Sequence, residues 1–228
     1  MKRLFITTIL LVAGFSILAK DKPGKNLLMA SDTVVWTGLD YSLVRMIGAD
    51  DFKIPDAIFP GMLEKWNTLF IDERIERVAN VLGKRVAIDI GGVTERNKMA
   101  TAKQIILTPS PKDVIEETHI TRQDIADEVK SYKLEKTSGL GLVFIVDRLV
   151  FRTIPPQYLH SSSRTEAAGA VYVVFFDIST REVISTEREI QQARGSGFRN
   201  FWFGVIKRTD SNLSKYRSSG TFGRKSSR

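Results

Sequence analysis

The sequence predicts a single α/β domain, a layered sandwich in which helices pack on a mixed β-sheet. The run "GLGLVFIVDRLVF" (residues 139–151) is almost continuously apolar and rich in β-branched residues, which favours a doubly buried central strand. Two stripes of apolar residues at helical spacing, within residues 60–83 and 198–206, indicate amphipathic helices. Strands and helices that alternate in this way along one chain are expected to form layers around a common core.

The first half of the chain predicts a strand, a helix and a second strand. Residues 33–40 are rich in β-branched and aromatic residues, as strands are. Residues 60–83 predict one bent helix or two abutting helices, with Gly83 at the C-terminal end. Residues 86–90 alternate apolar and other side chains and predict a short strand that ends at two glycines.

The middle of the chain is less regular. Residues 94–120 contain prolines and little periodicity, which predicts an extended excursion over the surface. Thr121 then begins a helix, and Asp124 stands at the position that completes a capping box. After the central strand, residues 170–190 predict a β-hairpin with its turn at residues 179–181.

The stretch "GSGFRNFWFGVIKR" (residues 195–208) predicts the helix that closes the core. Its apolar side chains recur at the spacing of one helix face: Phe198, Phe201, Trp202, Val205 and Ile206. Phe203 lies off this stripe. Together with Arg199 and Lys207 it forms a candidate partner-binding patch on the outer side of the helix.

The two ends of the chain differ from the body in composition. Residues 1–19 have a basic start, an apolar run and a small residue at the end, which predicts a secretory signal peptide; an uncleaved anchor is the alternative. Residues 20–32 predict a flexible arm, residues 33–208 the α/β domain, and residues 209–228 a disordered basic tail. The chain has no cysteine, so we expect neither a lipoprotein nor a disulfide framework.

No motif predicts a cofactor, metal or nucleophile site. His119 and His160 are isolated, and the pattern of a zinc site is missing. The two glycines of "IGGVTERN" follow a strand, but the lysine of a phosphate-binding loop and the third glycine of a dinucleotide-binding turn are lacking. We therefore expect no cofactor, no metal and no catalytic residues.

Acidic residues in or at the ends of predicted strands favour an alternative hypothesis, in which the protein is an enzyme. They are Asp40, Asp89, Asp147 and Asp177. Carboxylates such as Asp40 and Asp89 are the groups an exported hydrolase would use as acid and base, whereas carboxylates that cap turns would be structural. Glu95, Arg96 and Asn97 follow a strand without forming a recognised triad.

Several stretches resemble an uncharacterised family of exported bacterial envelope proteins. They are "VVWTGLDYS", "WNTLFIDE", "IGGVTERN", "VYVVFFDISTREVISTER" and "GSGFRNFW". The order of elements is also similar, at the level of the fold, to the small α/β domain of the curli-secretion channel family and of the N-terminal domain of the Tol-system propeller protein. The resemblance implies binding or assembly in the envelope rather than catalysis. The chain departs from the channel family in two ways. It lacks the cysteine that bears the lipid, and it lacks long hairpins of alternating residues.

The combined expectation is a non-catalytic, periplasmic or outer-envelope protein. We expect an envelope protein as its partner and no nucleic acid, because aromatics at helical spacing belong to a core. A net charge of +8, concentrated partly in the tail, makes peripheral contact with an anionic membrane surface a third hypothesis. The oligomeric state and the ligand do not follow from the sequence.

Overall fold

The computed structural model describes residues 23–48, 58–110, 112–154, 164–193 and 198–217. Its seven strands form one mixed sheet: β1 (Thr33–Asp40), β2 (Arg45–Ile47), β3 (Arg85–Ile88), β4 (Ile105–Ile106), β5 (Leu140–Ile154), β6 (Arg164–Asp177) and β7 (Val183–Gln192). Its five α-helices are α1 (Pro23–Ala30), α2 (Leu63–Leu82), α3 (Gly91–Asn97), α4 (Arg122–Ser131) and α5 (Phe198–Thr209). The predicted layered α/β sandwich is confirmed.

The long strand β5 organises the sheet. One of its edges pairs antiparallel with β6, which pairs antiparallel with β7. Its other edge pairs in parallel first with β1 and then with β2, so these two short strands lie one after the other along the same edge. Beyond them, β3 pairs with β1 and β4 pairs with β2, both in parallel. The sheet therefore has an interruption, residues 41–44, between β1 and β2, which we call the strand break.

Side chains from both faces of the sheet are buried. Helices α1, α2 and α5 cover one face, where Trp36 stacks on Phe70 with ring centroids 4.4 Å apart and meets Phe144 edge-on at 5.0 Å. Helix α4 and residues 112–120 cover the other face, where Ile125 and Ile115 are buried. Burial on both faces explains why β5 is almost continuously apolar.

Most predicted helix boundaries agree with the structure. Residues 63–82 form one helix, which follows a kinked turn at Ile58–Met62 and ends at Gly83 in the left-handed conformation. Thr121 and Asp124 form the capping box, with Thr121 Oγ1 accepting from the Asp124 backbone N–H at 3.1 Å. The hairpin turn after Asp177 is also where the sequence predicts it.

The excursion predicted at residues 94–120 is partly wrong. Residues 94–97 belong to the short helix α3, which begins at the two glycines, and the segment also contains β4. Gly92, the second residue of this helix, packs closely against Lys133: a Cβ at this position would lie 2.8 Å from the Lys133 backbone nitrogen. Only glycine fits there without a shift of the backbone.

The two predicted flexible ends also differ from the structure where it describes them. Within residues 20–32, the segment Pro23–Ala30 is a helix, and Leu28 packs in the core. Within residues 209–228, Asp210–Tyr216 forms a 3₁₀ turn against α2. Asp210 is fully buried and accepts from Arg74 at 2.6 and 2.8 Å, Leu213 is buried in the core, and Lys215 pairs with Glu189. Contacts with the body of the domain therefore order residues that composition predicts to be disordered.

Residues 1–22 and 218–228 lie outside the described residues. The signal-peptide prediction for residues 1–19 and the rest of the predicted basic tail therefore remain predictions. No helix among the residues described has both the length and the apolarity needed to cross a membrane.

Candidate functional site

Three of the motifs quoted above meet at the strand break: "VVWTGLDYS" supplies β1, "WNTLFIDE" supplies Asn67, and "IGGVTERN" supplies Asn97. β3 leaves β1 after the pair formed by Trp36 and Ile88, while β1 continues through a bulge at Gly38 to Asp40. Gly38 has φ +125, and a Cβ there would lie 2.9 Å from the side-chain oxygen of Asn67. Glycine is therefore required both for the backbone conformation and for the close approach of α2.

Two asparagine side chains replace the strand that is missing beside Leu39. Asn67 accepts from the Leu39 N–H at 2.7 Å and donates to the Leu39 carbonyl oxygen at 2.9 Å. Asn97 donates to the same carbonyl oxygen at 2.8 Å and accepts from the Tyr41 N–H at 2.6 Å. Both amides are buried, so they satisfy backbone groups that water cannot reach.

Asp40 anchors the other side of the strand break. Its carboxylate accepts from the Ser42 N–H at 2.8 Å and from the Tyr132 hydroxyl at 2.6 Å. Ser42 Oγ donates to Glu128 Oε1 at 3.0 Å, which brings a second buried carboxylate to the same place. Arg96 pairs with Glu128 through two hydrogen bonds of 2.5 and 2.7 Å.

The electrostatics of this cluster make Asp40 harder to ionise than an ordinary aspartate. Burial, and to a smaller extent the negative charge of Glu128, raises the pKa of Asp40 to about 6. Burial and the neighbouring Asp40 raise the pKa of Tyr132 well above its ordinary value, so Tyr132 is a hydrogen-bond donor at neutral pH. The cluster joins β1, α3 and α4 by charge and hydrogen bonds.

Asp147 anchors a second cluster at the level of the strand break, on the β5 strand. It sits at the bulge between Val146 and Arg148, and its side chain is fully buried. Arg188 of β7 donates to Asp147 Oδ2 at 2.7 Å. His119 Nδ1 lies 3.1 Å from Asp147 Oδ1 in a bent contact, which we regard as electrostatic rather than as a full hydrogen bond.

These two partners determine the charge state of Asp147. Burial by itself would raise the pKa of its carboxyl group, but the contacts and charges of His119 and Arg188 outweigh burial and hold that pKa below its usual range. Asp147 is therefore ionised more readily than an ordinary aspartate, whereas the raised pKa of Asp40 means that this group loses its proton only near pH 6.

The guanidinium of Arg188 also holds residues 112–120, which we call the clamped loop. It donates to three successive backbone carbonyl oxygens: those of Ile115 at 2.7 Å, Glu116 at 3.2 Å and Glu117 at 2.8 Å. Arg148 donates to the Val114 carbonyl oxygen at 2.9 Å. The sheet thus fixes an irregular segment through side chains from two of its strands.

Two further contacts complete this attachment. His119 Nε2 lies 2.8 Å from the Leu43 carbonyl oxygen, where the ring nitrogen has to be the donor. The Tyr172 hydroxyl donates to Thr118 Oγ1 at 3.1 Å. The loop is consequently tied to the strand break, to β5, to β6 and to β7, while its outer side chains Glu116 and Glu117 remain exposed.

The other two predicted acids have separate structural partners. Asp89 is buried and accepts from the Lys136 N–H at 2.9 Å. Asp177 accepts from the Ser179 N–H at 2.7 Å and begins the hairpin turn. The four strand-end acids are therefore not gathered into one group.

The three residues Glu95, Arg96 and Asn97, which follow β3, do not lie together: two are at the strand break and one is on the surface. Arg96 and Asn97 belong to the clusters at the strand break. Glu95 is exposed and pairs with Lys98 at 2.5 Å.

The predicted partner-binding patch on α5 differs from the structure at its centre. Phe203 is buried with only 3% of its surface exposed, because α5 covers β6 and β7 and turns this side chain into the core. Lys207 Nζ lies 4.8 Å from the centroid of the Phe203 ring and 2.8 Å from Glu73 Oε2. The side chain of Arg199 lies outside the described residues. The patch therefore has no exposed Phe203 side chain, and partner binding by Arg199 and Lys207 remains a prediction.

Within the parts of the chain that the structure describes, no group of three or more acidic, histidine or cysteine side chains is arranged to hold a metal ion. His160 lies outside the described residues.

Sequence reasoning missed the partners that make these clusters. Glu128, Tyr132 and Arg188 come from parts of the chain that are distant from Asp40 and Asp147. One signal was available for Asn67, which interrupts an apolar helix stripe between Trp66 and Phe70 and is itself buried.

The comparisons with known proteins add one similar structure. No family model matches the sequence, and a search of curated proteins finds no match. A solved structure of a neuraminyllactose-binding hemagglutinin homolog from Helicobacter pylori is similar with a TM-score of 0.33 and 10% sequence identity, over 83% of this chain and 87% of that chain. A similarity at this level carries no inference about function.

Proposed function

We propose that the protein is an exported, non-catalytic binding or assembly component of the bacterial cell envelope, and that the clamped loop is its binding surface. The observation that carries the proposal is the contact of one partly buried guanidinium, that of Arg188, with three successive carbonyl groups of the loop. Long irregular segments of compact domains are usually functional, and a segment held rigid in advance loses less entropy when it binds a partner.

The environment of the carboxylates supports binding over the hydrolase hypothesis. Asp40 has no exposed surface, and Asp89 has 6%. Each accepts hydrogen bonds from groups of the chain itself. A general acid or base has to come within hydrogen-bond reach of its substrate, and these groups are occupied in fastening the strand ends.

Export and the kind of partner rest on the sequence. The signal-peptide pattern at residues 1–19 supports export, and the resemblance to envelope proteins supports an envelope protein as the partner. We do not propose nucleic acid as a partner. Residues 218–228, which are basic, are the segment through which contact with an anionic membrane surface would occur.

Site-specific photo-crosslinking in the envelope tests the binding surface. A photoreactive residue at Glu117, in the clamped loop, is compared with one at Glu64, which is exposed on α2 across the sheet. We expect a crosslinked product of higher mass from position 117 and none from position 64. Equal products from both positions, or none from either in cells that export the protein, would contradict the proposal.

The same cells test export. N-terminal sequencing of the protein from the periplasmic fraction should begin after residue 19. A chain that retains Met1 in the membrane fraction would refute cleavage and support an anchor.

A further inference from the structure

The strand β7 leaves one edge of the sheet open. It is ten residues long and pairs with β6. No strand lies on its other side among the residues that the structure describes. The Ala193 N–H donates to the Ala167 carbonyl oxygen at 2.9 Å. Along an antiparallel strand, residues whose backbone groups bond to the neighbour alternate with residues whose backbone groups face away, so this bond tells which residues of β7 face outward. The backbone groups of Thr186, Arg188, Ile190 and Gln192 therefore point away from β6.

Part of the usual protection of an edge strand is missing here. Natural edge strands are kept apart by proline, by charged side chains, by bulges, by shortness or by a covering element. β7 contains no proline. Its charged side chains have partners within the chain, which reduces their repulsion of a second strand: Lys215 lies 2.5 Å from both Glu187 and Glu189, and Arg188 pairs with Asp147.

Ile190 marks the place where another strand would add. It has an outward-pointing backbone and a side chain that is 45% exposed. The Gln192 carbonyl oxygen already accepts a long, exposed hydrogen bond of 3.3 Å from Arg208, and its second lone pair stays available. This part of the edge therefore combines apolar surface with backbone groups that can still pair.

The charge pattern of β7 excludes several registers for pairing with itself, and the exposed apolar side chain of Ile190 favours one of the remaining registers. In an antiparallel pair of identical strands, a two-fold axis at Glu187, Arg188 or Glu189 places glutamates directly opposite each other, which is destabilising. An axis at Ile190 instead places the two Ile190 side chains together and Glu189 opposite Gln191. Like charges do not meet in this register.

We propose that β7 pairs antiparallel with β7 of a second copy of this chain, about a two-fold axis at Ile190, so that the two sheets become continuous. In this arrangement Ile190 pairs with its counterpart, and Arg188 pairs with Gln192 of the other copy. Such an isologous contact closes after two copies. The inference concerns self-association and does not rest on the proposed function.

Analytical ultracentrifugation of the exported protein tests the pairing, with matched variants at the two edges of the sheet. Ile190→Lys introduces a charge at the axis. Ile88→Lys is the control, because Ile88 lies on the opposite edge strand with a similar exposure of 46%. We expect a concentration-dependent dimer whose dissociation constant rises at least tenfold in Ile190→Lys and stays within twofold in Ile88→Lys.

A crosslinking experiment keeps the test independent of the folding of the lysine variant. The chain has no cysteine, so Ile190→Cys and Ile88→Cys each carry a single thiol. Directly opposed residues of a hydrogen-bonded antiparallel pair have Cα atoms about 5.5 Å apart, a separation that a disulfide spans. Mild oxidation should give a covalent dimer from Ile190→Cys and little from Ile88→Cys.

Three outcomes would overturn the proposal. They are a protein that stays monomeric up to high micromolar concentration, a dimer that Ile190→Lys does not weaken, and equal covalent dimer from both cysteine variants. A monomer whose photo-crosslinks in the envelope come from position 190 would assign this edge to a different protein. None of these results bears on binding by the clamped loop.

Discussion

Asn67 forms two hydrogen bonds with a single residue, Leu39: its side-chain oxygen accepts from the Leu39 N–H and its side-chain nitrogen donates to the Leu39 carbonyl oxygen. A neighbouring strand would offer the same pair of groups. The side chain therefore continues the sheet where β3 has ended, and it couples α2 to the end of β1.

Replacement of this amide should destabilise the domain. In Asn67→Ala the Leu39 N–H loses its partner, and an unsatisfied buried backbone group costs about 1–3 kcal/mol. Urea unfolding measures the difference. Asn80→Ala, at an exposed position of the same helix, is the control and should change the free energy of unfolding by less than about 0.5 kcal/mol. Equal effects of the two substitutions would argue against a role of Asn67 as a substitute strand.

Asp40 should make the protein less stable as the pH rises. Its pKa is about 6 in the folded chain against an ordinary value of 3.8, so its favourable contribution is complete below about pH 4 and is lost as the pH rises through 6. A shift of this size corresponds to roughly 3 kcal/mol between the two limits. In Asp40→Asn the amide oxygen can accept from the Ser42 N–H and the amide nitrogen can donate to the Tyr132 hydroxyl oxygen, without a charge. The variant should therefore be more stable than the wild type at pH 8 and nearly equal to it at pH 4.

Asp177→Asn is the matched control for this pH dependence. Hydrogen bonds from Ser179 and Thr180 offset burial and lower the pKa of Asp177, so its stabilisation is present at neutral pH and is lost as the pH falls. Asp177→Asn should therefore be less stable than the wild type at pH 8. Denaturant unfolding at several pH values measures both variants. The same sign of change for both at pH 8 would contradict the assignment of Asp40.

The pattern of apolar residues was sufficient to predict the layers. Burial on one or both faces of an element gives its apolar residues a regular spacing, which neighbouring positions in the sequence are enough to show. This holds for β5, for the hairpin of β6 and β7, and for α5. Segments ordered by contacts with residues distant in sequence were not predictable in this way. Asp210–Tyr216 looks like a disordered tail by composition and is held by Arg74, which is 136 residues away in sequence.

The candidate site shows the same limit. Asp40 and Asp147 were recognisable as acids at strand ends, but their environments depend on Glu128, Tyr132 and Arg188, which only the fold brings to them. Phe203 was misplaced for a related reason. A helix that lies over two strands buries a wider stripe than the spacing of its most regular apolar positions indicates, and the exposed aromatic predicted on α5 is in the core.

Trp202 should be essential for stability. Its side chain is 1% exposed in the core formed by α5 and the sheet, and loss of a large buried aromatic typically costs about 3–5 kcal/mol. Lys207→Ala removes a half-exposed ion pair with Glu73 and should cost less than about 1 kcal/mol. Thermal melting compares the two variants. A Trp202→Ala protein with a wild-type melting temperature would contradict the placement of α5.

Asp210 should order the segment that follows α5. Asp210→Ala leaves Arg74 without its buried partner, and removal of one member of a buried pair costs about 3–5 kcal/mol. Asp72→Ala, at an exposed position on the same helix as Arg74, is the control. Amide exchange over Asp210–Tyr216 should accelerate in the first variant and stay unchanged in the second. Rapid exchange of this segment in the wild type would show that the ion pair does not order it.

The central claim is that the ion pair of Arg188 and Asp147 fixes the clamped loop, and protease cleavage of the loop in the folded protein tests it most directly. A glutamyl endopeptidase cuts after Glu116 and Glu117, whose carbonyl oxygens Arg188 binds. Cleavage requires local opening, so its rate under native conditions reports how well the loop is held. Arg188→Gln should raise this rate at least tenfold over the wild type, whereas Arg85→Gln, at an exposed position of β3, should leave it unchanged. An unchanged rate in Arg188→Gln, or an increase no larger than the loss of global stability accounts for, would contradict the claim.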